Sequence, residues 1–400
     1  MSPPRAYLDH NATTPLHPAA REAMLAALDK PGNASSVHAE GRAARAIIET
    51  ARAELAAFVH ASPKNIVFTS GGTEALNLAL TPHLEPGGAK TGPFDRLLVG
   101  AGEHAAVLAG HRFPAAEVEI IPLTQQGVLD LGALQSALDR QSGRRIMLAL
   151  QAANNETGVI QPVAAAAQLV RAAGGFLVCD GVQAAGKINC DINLWGADAI
   201  VVSAHKFGGP QGVGGLCFAS PTSHITDVLV RGGGQERGLR AGTENVAAIA
   251  GMRAAIGAAQ ERAERETAAL AALRDQMERD IGCLAPGAAF FGAGAERLPN
   301  TSCFAIPGVE AQILLMFLDI EGVAVSSGSA CSSGKVKRSH VLEAMGVAPE
   351  LAAGAIRVSL GWNSSEEDCV LFRRALEKAV RTIKAKPLRA EIKAAEHFAA

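Results

Sequence analysis

A lysine next to a histidine in a glycine-rich turn is the first pair of residues in this sequence that could do covalent chemistry. The turn, Ser-Ala-His-Lys-Phe-Gly-Gly-Pro at residues 203–210, follows an apolar run that predicts a buried strand. Burial penalises the charged form of an amine, so it lowers the pKa of a lysine and makes it a nucleophile for a carbonyl group. Lys206 is therefore a candidate Schiff-base lysine. The alternative is a lysine whose amine extends to solvent.

Asp180 ends a second apolar run, Phe-Leu-Val-Cys-Asp. A carboxylate in an apolar site needs a cationic partner or several hydrogen-bond donors. The protonated pyridine nitrogen of pyridoxal 5′-phosphate (PLP) is such a partner, and an aspartate in that position keeps the ring an electron sink. The alternative is that Asp180 caps the N-terminus of the following helix.

A pair of glycines separates a predicted strand from a predicted helix in Phe-Thr-Ser-Gly-Gly-Thr-Glu, residues 68–74. The free backbone N–H groups at the start of a helix, together with the Thr73 hydroxyl, could hold a phosphate. An ordinary turn has the same pattern, so this motif predicts a phosphate site only in combination with the others.

One of seven cysteines has unusual surroundings. The chain has no C-x-x-C pair and an odd number of cysteines, which argues against a disulfide framework, and most of them are expected to be small core residues. Cys331 instead lies in Ser-Ser-Gly-Ser-Ala-Cys-Ser-Ser-Gly, residues 326–334, where small residues predict a mobile loop. As a thiolate it could attack a bound substrate and then present its cargo elsewhere. The alternative is an unreactive surface cysteine.

The elements that must position these residues alternate between strands and helices from about residue 60 to 220. This alternation predicts a mainly parallel sheet covered by helices, and ligands of such sheets bind where strands end. Helices are predicted at residues 129–140 and 163–173. The predicted strands lie at residues 66–69, 96–100, 118–122, 146–150, 176–180, 199–203 and 214–218.

A smaller α+β domain is predicted beyond one long helical pattern at residues 243–280. It would contain a strand at 301–306, a helix at 311–321 and a final helix from residue 366. We place the large domain at residues 14–260. The small domain takes residues 1–13 and 261–400 and carries the cysteine loop, 326–338.

Composition excludes several classes of function. Four hundred residues with 48% hydrophobic content suffice for two cores, and a net charge of −2 with scattered Lys and Arg argues against nucleic acid and membrane surfaces as partners. No apolar stretch approaches the ~20 residues of a membrane span, and the first residues lack the features of a signal peptide. We expect a cytoplasmic protein with no metal site.

Seven short motifs are spread over almost the whole chain, at residues 7–15, 69–74, 103–108, 153–158, 203–210, 232–245 and 326–331. In this order they resemble the motif set of NifS/IscS-type cysteine desulfurases, in the class V aminotransferase family. The resemblance implies an α/β, PLP-dependent transferase fold like that of aspartate aminotransferase. It also implies conversion of L-cysteine to L-alanine, with sulfur transferred to Cys331 as a persulfide. The alternatives are a selenocysteine lyase or small amino-acid aminotransferase of the same family, or a scaffold that binds no cofactor.

The resemblance also assigns the cofactor site. Lys206 would bind PLP covalently and Asp180 would pair with its ring nitrogen, while Lys206 and His104 would carry protons. His104 would stack on the ring, and Gln183 and Asn155 would contact the phenolic oxygen. The positions that match phosphate ligands are Gly72, Thr73, Ser203, His205 and, toward the other subunit of a homodimer, Thr243.

Substrate and partner contacts follow from the same motifs. Arg357 matches the arginine that binds the substrate carboxylate. This role suits a planar guanidinium, which can donate two parallel hydrogen bonds to a carboxylate. The alternative, without the motif, is a surface ion pair. Asn155, Asn11 and Asn33 are further pocket candidates. A sulfur-acceptor protein, such as an iron–sulfur scaffold, is the implied partner, and nitrogenase maturation and tRNA thiolation remain open as destinations.

Three positions depart from the family pattern. His10 replaces a tyrosine or asparagine, Ala34 replaces a proline, and residues 335–338, Lys-Val-Lys-Arg, are unusually basic. The basic segment puts the choice of acceptor in doubt because it borders the cysteine loop. The interval from Cys331 to Ser339 has the length of the family's long-loop group, which favours direct delivery of the persulfide to acceptor proteins.

Overall fold

The strands predicted from apolar runs form the centre of the structure, a computed structural model that describes residues 5–87, 92–327 and 338–398. Its strands are β1 Ala6–Tyr7, β2 Ile66–Thr69, β3 Leu84–Glu85, β4 Arg96–Gly100, β5 Val118–Ile121, β6 Ile146–Gln151, β7 Phe176–Asp180, β8 Ala199–Ser203, β9 Gly214–Phe218, β10 His224–Ile225, β11 Ala289–Phe290, β12 Thr301–Ala305, β13 Val323–Ala324, β14 Ser326–Ser327 and β15 Ile356–Ser359.

The structure contains the helices that the sequence predicted, with bounds within about four residues of the predicted ones, together with helices that it did not predict. They are α1 Pro18–Leu28, α2 Ala39–Phe58, α3 Gly72–Ala79, α4 Ala105–Leu108, α5 Leu131–Arg140, α6 Val163–Ala172, α7 Ile192–Trp195, α8 Val246–Leu284, α9 Ala311–Ile320, α10 His340–Ala344, α11 Pro349–Ala352 and α12 Glu366–Phe398. Short 3₁₀ turns lie at Pro63–Asn65, Ala115–Glu117, Ala204–Lys206 and Gln235–Gly238.

The seven predicted strands of the large domain form one sheet, in the order β2-β9-β8-β7-β6-β4-β5. Strands β4 to β8 pair in parallel, and β9 runs antiparallel to both of its neighbours, β2 and β8. The predicted mainly parallel α/β sheet is therefore confirmed. It places the ends of β7 and β8, and with them Asp180 and Lys206, side by side.

Both faces of this sheet are buried. Along β6, Ile146 and Leu148 pack into one hydrophobic cluster, whereas Met147 and Ala149 pack into the cluster on the opposite face. Strands with helices on both sides have no polar face, which explains why the sequence shows continuous apolar runs rather than alternation.

A second sheet, β11-β12-β15-β14, is antiparallel and packs in a separate hydrophobic cluster with α9 and α12. Strand β1 pairs in parallel with β13, and Ala6 and Leu8 lie in the same cluster. The predicted boundary at residue 260 falls inside α8, which contributes Ile256 to the large core and Ile281 to the smaller one. The division into two domains stays a prediction.

The sequence prediction was wrong at the start of the cysteine loop. Residues 326 and 327 were expected in a loop, but they form β14 and pair with β15 through Ser326 and Arg357. Two serines have no strand preference of their own, so the pairing depends on the partner strand. Cys331 and residues 328–337 lie outside the described residues. Among the described residues, no helix is long and apolar enough to cross a membrane.

Candidate active site

A cavity of about 290 Å³ lies at the ends of β7 and β8 and at the start of α3. Most of the site residues predicted from the sequence line it, although they are far apart along the chain. They are Asn11, Gly72, Thr73, His104, Asn155, Asp180, Gln183, Ser203, His205, Lys206 and Arg357.

Lys206 follows β8 in a short 3₁₀ turn and is half-buried. Its Nζ donates to the backbone carbonyls of Asn11, at 2.6 Å, and Ala12, at 2.9 Å. The lysine is therefore not extended into solvent, which was the alternative interpretation. The chain segment after β1 holds its amine at the wall of the cavity.

Asp180, the last residue of β7, is buried, and its Oδ1 accepts a hydrogen bond from Val182 N at 2.9 Å. Burial raises the pKa of Asp180, while the hydrogen bond from Val182 N and the electrostatic effects of His104 and Lys206 oppose that rise. The carboxylate form is thus costly here without another cation. A protonated ring nitrogen in the cavity would supply that cation, so Asp180 fits the PLP contact that its position implies.

The end of the cavity at the start of α3 has the features of a phosphate site. Helix α3 begins at Gly72, and a Cβ at that position would lie 2.7 Å from Val182 Cγ2, so no larger residue fits. The first N–H groups of α3 and the side chains of Thr73 and Ser203 can face an anion there. These groups fit the phosphate of PLP.

His205 completes this end of the cavity as a neutral ring. Burial, followed by the charges of Lys206 and Lys187, lowers the pKa of His205 to about 4. Its Nδ1 lies 3.1 Å from the Thr13 hydroxyl, which fixes the orientation of the ring. We therefore expect His205 to contribute a hydrogen bond to a bound phosphate, rather than a positive charge.

A buried ion pair joins Arg52 of α2 to Glu236 of the 232–245 motif, next to the strand that leads into α3. Glu236 accepts two hydrogen bonds from the guanidinium of Arg52, both at 2.8 Å, and a third from Phe68 N at 2.9 Å. Both side chains are buried, and such a pair is stable only when its geometry satisfies the charges. The contact fixes β2 just before the glycine turn that starts α3.

His104 caps α4, because its Nδ1 accepts a hydrogen bond from Ala106 N at 3.1 Å. A neutral imidazole has one N–H, so this contact assigns the proton to Nε2. Burial lowers the pKa of His104, while the nearby carboxylate of Asp180 opposes that effect. His104 is thereby oriented and biased toward the neutral form.

Arg357 lies on β15 and is buried. Its Nη1 donates to Asn155 O at 3.0 Å and its Nη2 to Asp9 Oδ1 at 2.6 Å. Nε is buried and has no hydrogen-bond partner among the described residues. The guanidinium thus forms an ion pair, but a buried one at the cavity rather than the surface pair considered as the alternative.

Two predicted residues lie away from the cavity. Asn33 is exposed, and its Oδ1 accepts a hydrogen bond from Ser35 N. Thr243 lines a different cavity, of about 240 Å³, beside Thr69 and Ser70. The predicted role of Thr243 involves the phosphate of a second subunit, so it stays a prediction, as does the role of Asn33.

Sequence reasoning missed several residues that hold the site in place. Asp9, Glu156 and Lys187 contact predicted site residues or the end of the cysteine loop. Glu156 is buried, and one of its carboxylate oxygens accepts a hydrogen bond from Ser339, which caps α10 just beyond residue 338. Asp9 and Glu156 lie inside motifs quoted above, but their partners are too distant in sequence for a pattern to identify them.

The ionisation of Glu156 should make the stability of the folded protein depend on pH. Burial raises the pKa of Glu156 to about 7, so the folded protein holds a proton there that the unfolded chain, with a glutamate pKa of about 4.3, releases. The contribution of Glu156 to the free energy of unfolding is therefore largest at low pH and decreases as the pH rises from about 4.5 to 7. Glutamine cannot ionise. We expect the Tm of Glu156→Gln to rise relative to wild type by a larger margin at about pH 8 than at about pH 5.

The measurement is a pair of thermal unfolding scans at matched scan rate and ionic strength. Glu22→Gln makes the same chemical change at an exposed position and measures the effect of removing one surface charge. A constant Tm difference between Glu156→Gln and wild type at the two pH values would contradict the prediction.

The sequence is similar to that of a known enzyme family over most of its length. The family model described as Aminotransferase class-V matches residues 6–372. A protein named cysteine desulfurase from Cereibacter sphaeroides is 42% identical over 371 residues, covering 91% of this chain and 92% of its own length. One named cysteine desulfurase IscS, from Dictyoglomus turgidum, is 37% identical and covers 94% of this chain and 95% of its own length.

Solved structures of NifS-like proteins have a similar fold. The X-ray structure of a NifS-like protein from Rickettsia africae has a TM-score of 0.84 and 33% identity, and covers 94% of this chain and 99% of its own. Another structure titled NifS-like protein has a TM-score of 0.85 and 32% identity, with 95% and 100% of the two chains covered. These likenesses confirm the fold that the sequence motifs implied.

Proposed function

The chain belongs to the class-V aminotransferase family, and from this premise we propose that it is a PLP-dependent cysteine desulfurase. The proposed reaction converts L-cysteine to L-alanine and transfers the substrate sulfur to Cys331 as a persulfide. The observation that carries the proposal is the convergence on one cavity of a lysine amine, a buried carboxylate, a helix N-terminus and a buried guanidinium. These groups belong to Lys206, Asp180, Gly72 and Arg357.

PLP, when bound, supplies the electron withdrawal that labilises the substrate Cα proton and then the carbon–sulfur bond. In this proposal Lys206 would hold the cofactor covalently and Asp180 would pair with its ring nitrogen. The start of α3, with Ser203 and His205, would bind its phosphate. Gln183 and Asn155 would face its phenolic oxygen.

Two side chains move protons in the proposed reaction. The Lys206 amine would accept the substrate Cα proton and return one. His104 Nδ1 is occupied by its bond from Ala106 N, which leaves Nε2 as the nitrogen available for proton exchange. Both residues line the cavity, as proton transfer to a bound substrate requires.

Sulfur transfer follows from nucleophilic attack by the Cys331 thiolate on the substrate Sγ. The new bond is sulfur–sulfur, and the bond that breaks is Cβ–Sγ. Its electron pair stays with the substrate carbon, which is then protonated to give L-alanine. Only the thiolate is nucleophilic enough for this step.

The experiment that tests the proposed function is incubation of the purified protein with L-cysteine and a thiol reductant. Alanine and sulfide should form together and in equal amounts. Absence of both would contradict the proposal. Alanine formation that requires an added oxo acid and releases no sulfide would instead indicate the aminotransferase of the alternative reading.

The cellular setting belongs to the same proposal. We propose a cytoplasmic homodimer, with Thr243 of each subunit at the phosphate of the other, that passes its sulfur to an acceptor protein such as an iron–sulfur scaffold. Selenocysteine lysis remains the second candidate within the family. Comparing turnover of L-cysteine and L-selenocysteine by one preparation separates the two activities.

A substitution at Arg357 tests the substrate end of the site. Asp9 and Asn155 O already fix the plane of the guanidinium, so its other donors are oriented for a carboxylate. Lysine is a point charge and cannot donate two parallel hydrogen bonds to one carboxylate. We expect Arg357→Lys to raise the KM for L-cysteine at least about tenfold, the equivalent of ~1.4 kcal/mol of lost binding, while PLP stays bound.

The control for this variant is the ratio of PLP to protein and the Tm, measured beside the kinetics. Parallel loss of PLP, Tm and activity would show that Arg357 maintains the fold through Asp9 rather than binding substrate.

A further inference from the structure

A second buried amine lies beside the candidate active site, and the proposed reaction does not use it. Lys187 follows Gly186, whose φ of 76° and whose close approach to Phe207 exclude a side chain, since a Cβ there would lie 2.6 Å from Phe207 Cβ. The Lys187 amine lies in the interior, where burial, followed by the charges of Lys206 and Arg357, lowers the pKa of Lys187 to about 7.

The three hydrogen bonds of the Lys187 ammonium all go to neutral oxygens. Nζ donates to Gln183 Oε1 at 2.9 Å, to Gln183 O at 3.0 Å and to Asn11 Oδ1 at 3.3 Å. An ammonium has three donors and no acceptor, so this set satisfies it fully. Each of these three acceptors is uncharged, so no carboxylate offsets the cost of burying the cation, which is consistent with the lowered pKa of Lys187.

Two contacts together set which way the Gln183 amide points. Its Oε1 faces the protonated Lys187 amine, which can only donate, so its NH₂ group lies at the other end. There Gln183 Nε2 donates to Asn11 O at 3.0 Å. That bond uses one of the two N–H groups of the amide, and the second is left for the cavity that Gln183 lines.

The orientation of Asn11 is fixed independently of Lys187. Asn11 Nδ2 donates to Asn155 O at 3.2 Å and to Thr301 Oγ1 at 2.9 Å, so Oδ1 must point the other way. Asn300 Nδ2 donates to that Oδ1 at 3.1 Å. Lys187 therefore donates to a fixed acceptor, Asn11 Oδ1, on one side and to the Gln183 amide, whose Nε2 is bonded to Asn11 O, on the other.

We propose that Lys187 is a positioning residue that holds the Gln183 amide with its N–H toward the phenolic oxygen of PLP. The inference rests on the proposed function, because it needs PLP in the cavity. Without the ammonium, Gln183 Oε1 would be buried without its charged donor, and the amide would no longer be held by its oxygen. The N–H group that faces the phenolic oxygen would then be restrained only by the bond from Gln183 Nε2 to Asn11 O.

The first test compares PLP binding by Lys187→Met with binding by Lys64→Met, an exposed lysine that receives the same change. Protein stripped of cofactor is titrated with PLP and followed by absorbance. We expect Lys187→Met to weaken PLP binding roughly tenfold and to shift the absorbance maximum of the bound cofactor, and Lys64→Met to match wild type. Equal behaviour of the two variants would overturn the inference.

A double substitution separates positioning from a general structural role. If Lys187 acts through Gln183, then Lys187→Met should have little further effect on affinity or spectrum when Gln183 is already alanine. Losses that multiply would mean that the two residues act independently, and the inference would be wrong.

Lys187→Arg tests the donors themselves, since arginine is also a cation without an acceptor. It should keep affinity closer to wild type than methionine does. Equal loss of PLP in the arginine and methionine variants would show that packing, and not the donors, matters at this position. Failure of the wild-type protein to bind PLP would overturn the proposed function itself, an outcome that is distinct from all of these.

Discussion

Cys331→Ser is expected to lower alanine and sulfide formation by several orders of magnitude while PLP stays bound. Serine keeps the size and polarity of the side chain and removes the nucleophile. A hydroxyl without an adjacent base stays un-ionised near neutral pH, and oxygen is a poor attacker at divalent sulfur. The cavity residues Lys206, Asp180 and Arg357 are untouched by the change.

The measurement combines product assays with spectroscopy and mass spectrometry. The absorbance of bound PLP should still change when L-cysteine is added to Cys331→Ser, because substrate binding does not need the thiol. After cysteine treatment, one additional sulfur atom should be found on Cys331 in wild type and on no residue of the variant.

Cys283→Ser is the matched control, since Cys283 is an exposed free cysteine outside the cavity. It should retain wild-type activity. Near-normal alanine production by Cys331→Ser would reject transfer through a persulfide and would move the assignment toward a lyase or transaminase of the same fold.

Lys206→Ala should abolish turnover and also the covalent attachment of PLP to the protein. The Lys206 amine is held at the cavity wall by two backbone carbonyls, and the alanine variant has no amine at that point. Borohydride reduction followed by peptide mass spectrometry should place the cofactor on the peptide that contains Lys206 in wild type. Lys64→Ala is the control at an exposed position.

Lys187 is a second lysine near the cavity, so the test must show which of the two lysines binds PLP. Lys187 Nζ donates to Gln183 and Asn11, both of which line the same cavity, so it is the nearby alternative for covalent attachment. An adduct on Lys187 in wild type, or an unchanged adduct in Lys206→Ala, would mean that the assignment of Lys206 is wrong. Attachment to Lys206 alone would support the roles assigned to both residues.

The strands could be predicted well because burial on both faces of the sheet leaves a local signal. A run such as Ile146–Gln151 is apolar throughout, and glycine or polar turns mark its ends. The strand β14 could not be predicted, since its two serines carry no such signal and its partner, β15, lies about thirty residues further along the chain.

Most predicted site residues lie around one cavity because parallel strands end at the same edge of their sheet. Asp180 and Lys206 are the clearest cases, at the ends of the neighbouring strands β7 and β8. Their chemical roles stay predictions that the variants above test. Asn33, at an exposed position, shows that a motif match alone does not place a residue in the pocket of its own subunit.

The sequence by itself determined the class of fold, the family and the types of reactive group, since apolar runs, glycine turns and ordered motifs are all local patterns. Only the tertiary structure decided which groups meet. The bonds from Arg357 to Asp9, from Ser339 to Glu156 and from Lys187 to Asn11 join residues that are far apart along the chain. A local pattern holds no information on such pairs. They form because folding buries polar groups that must then find partners, and in this chain those partners orient the site.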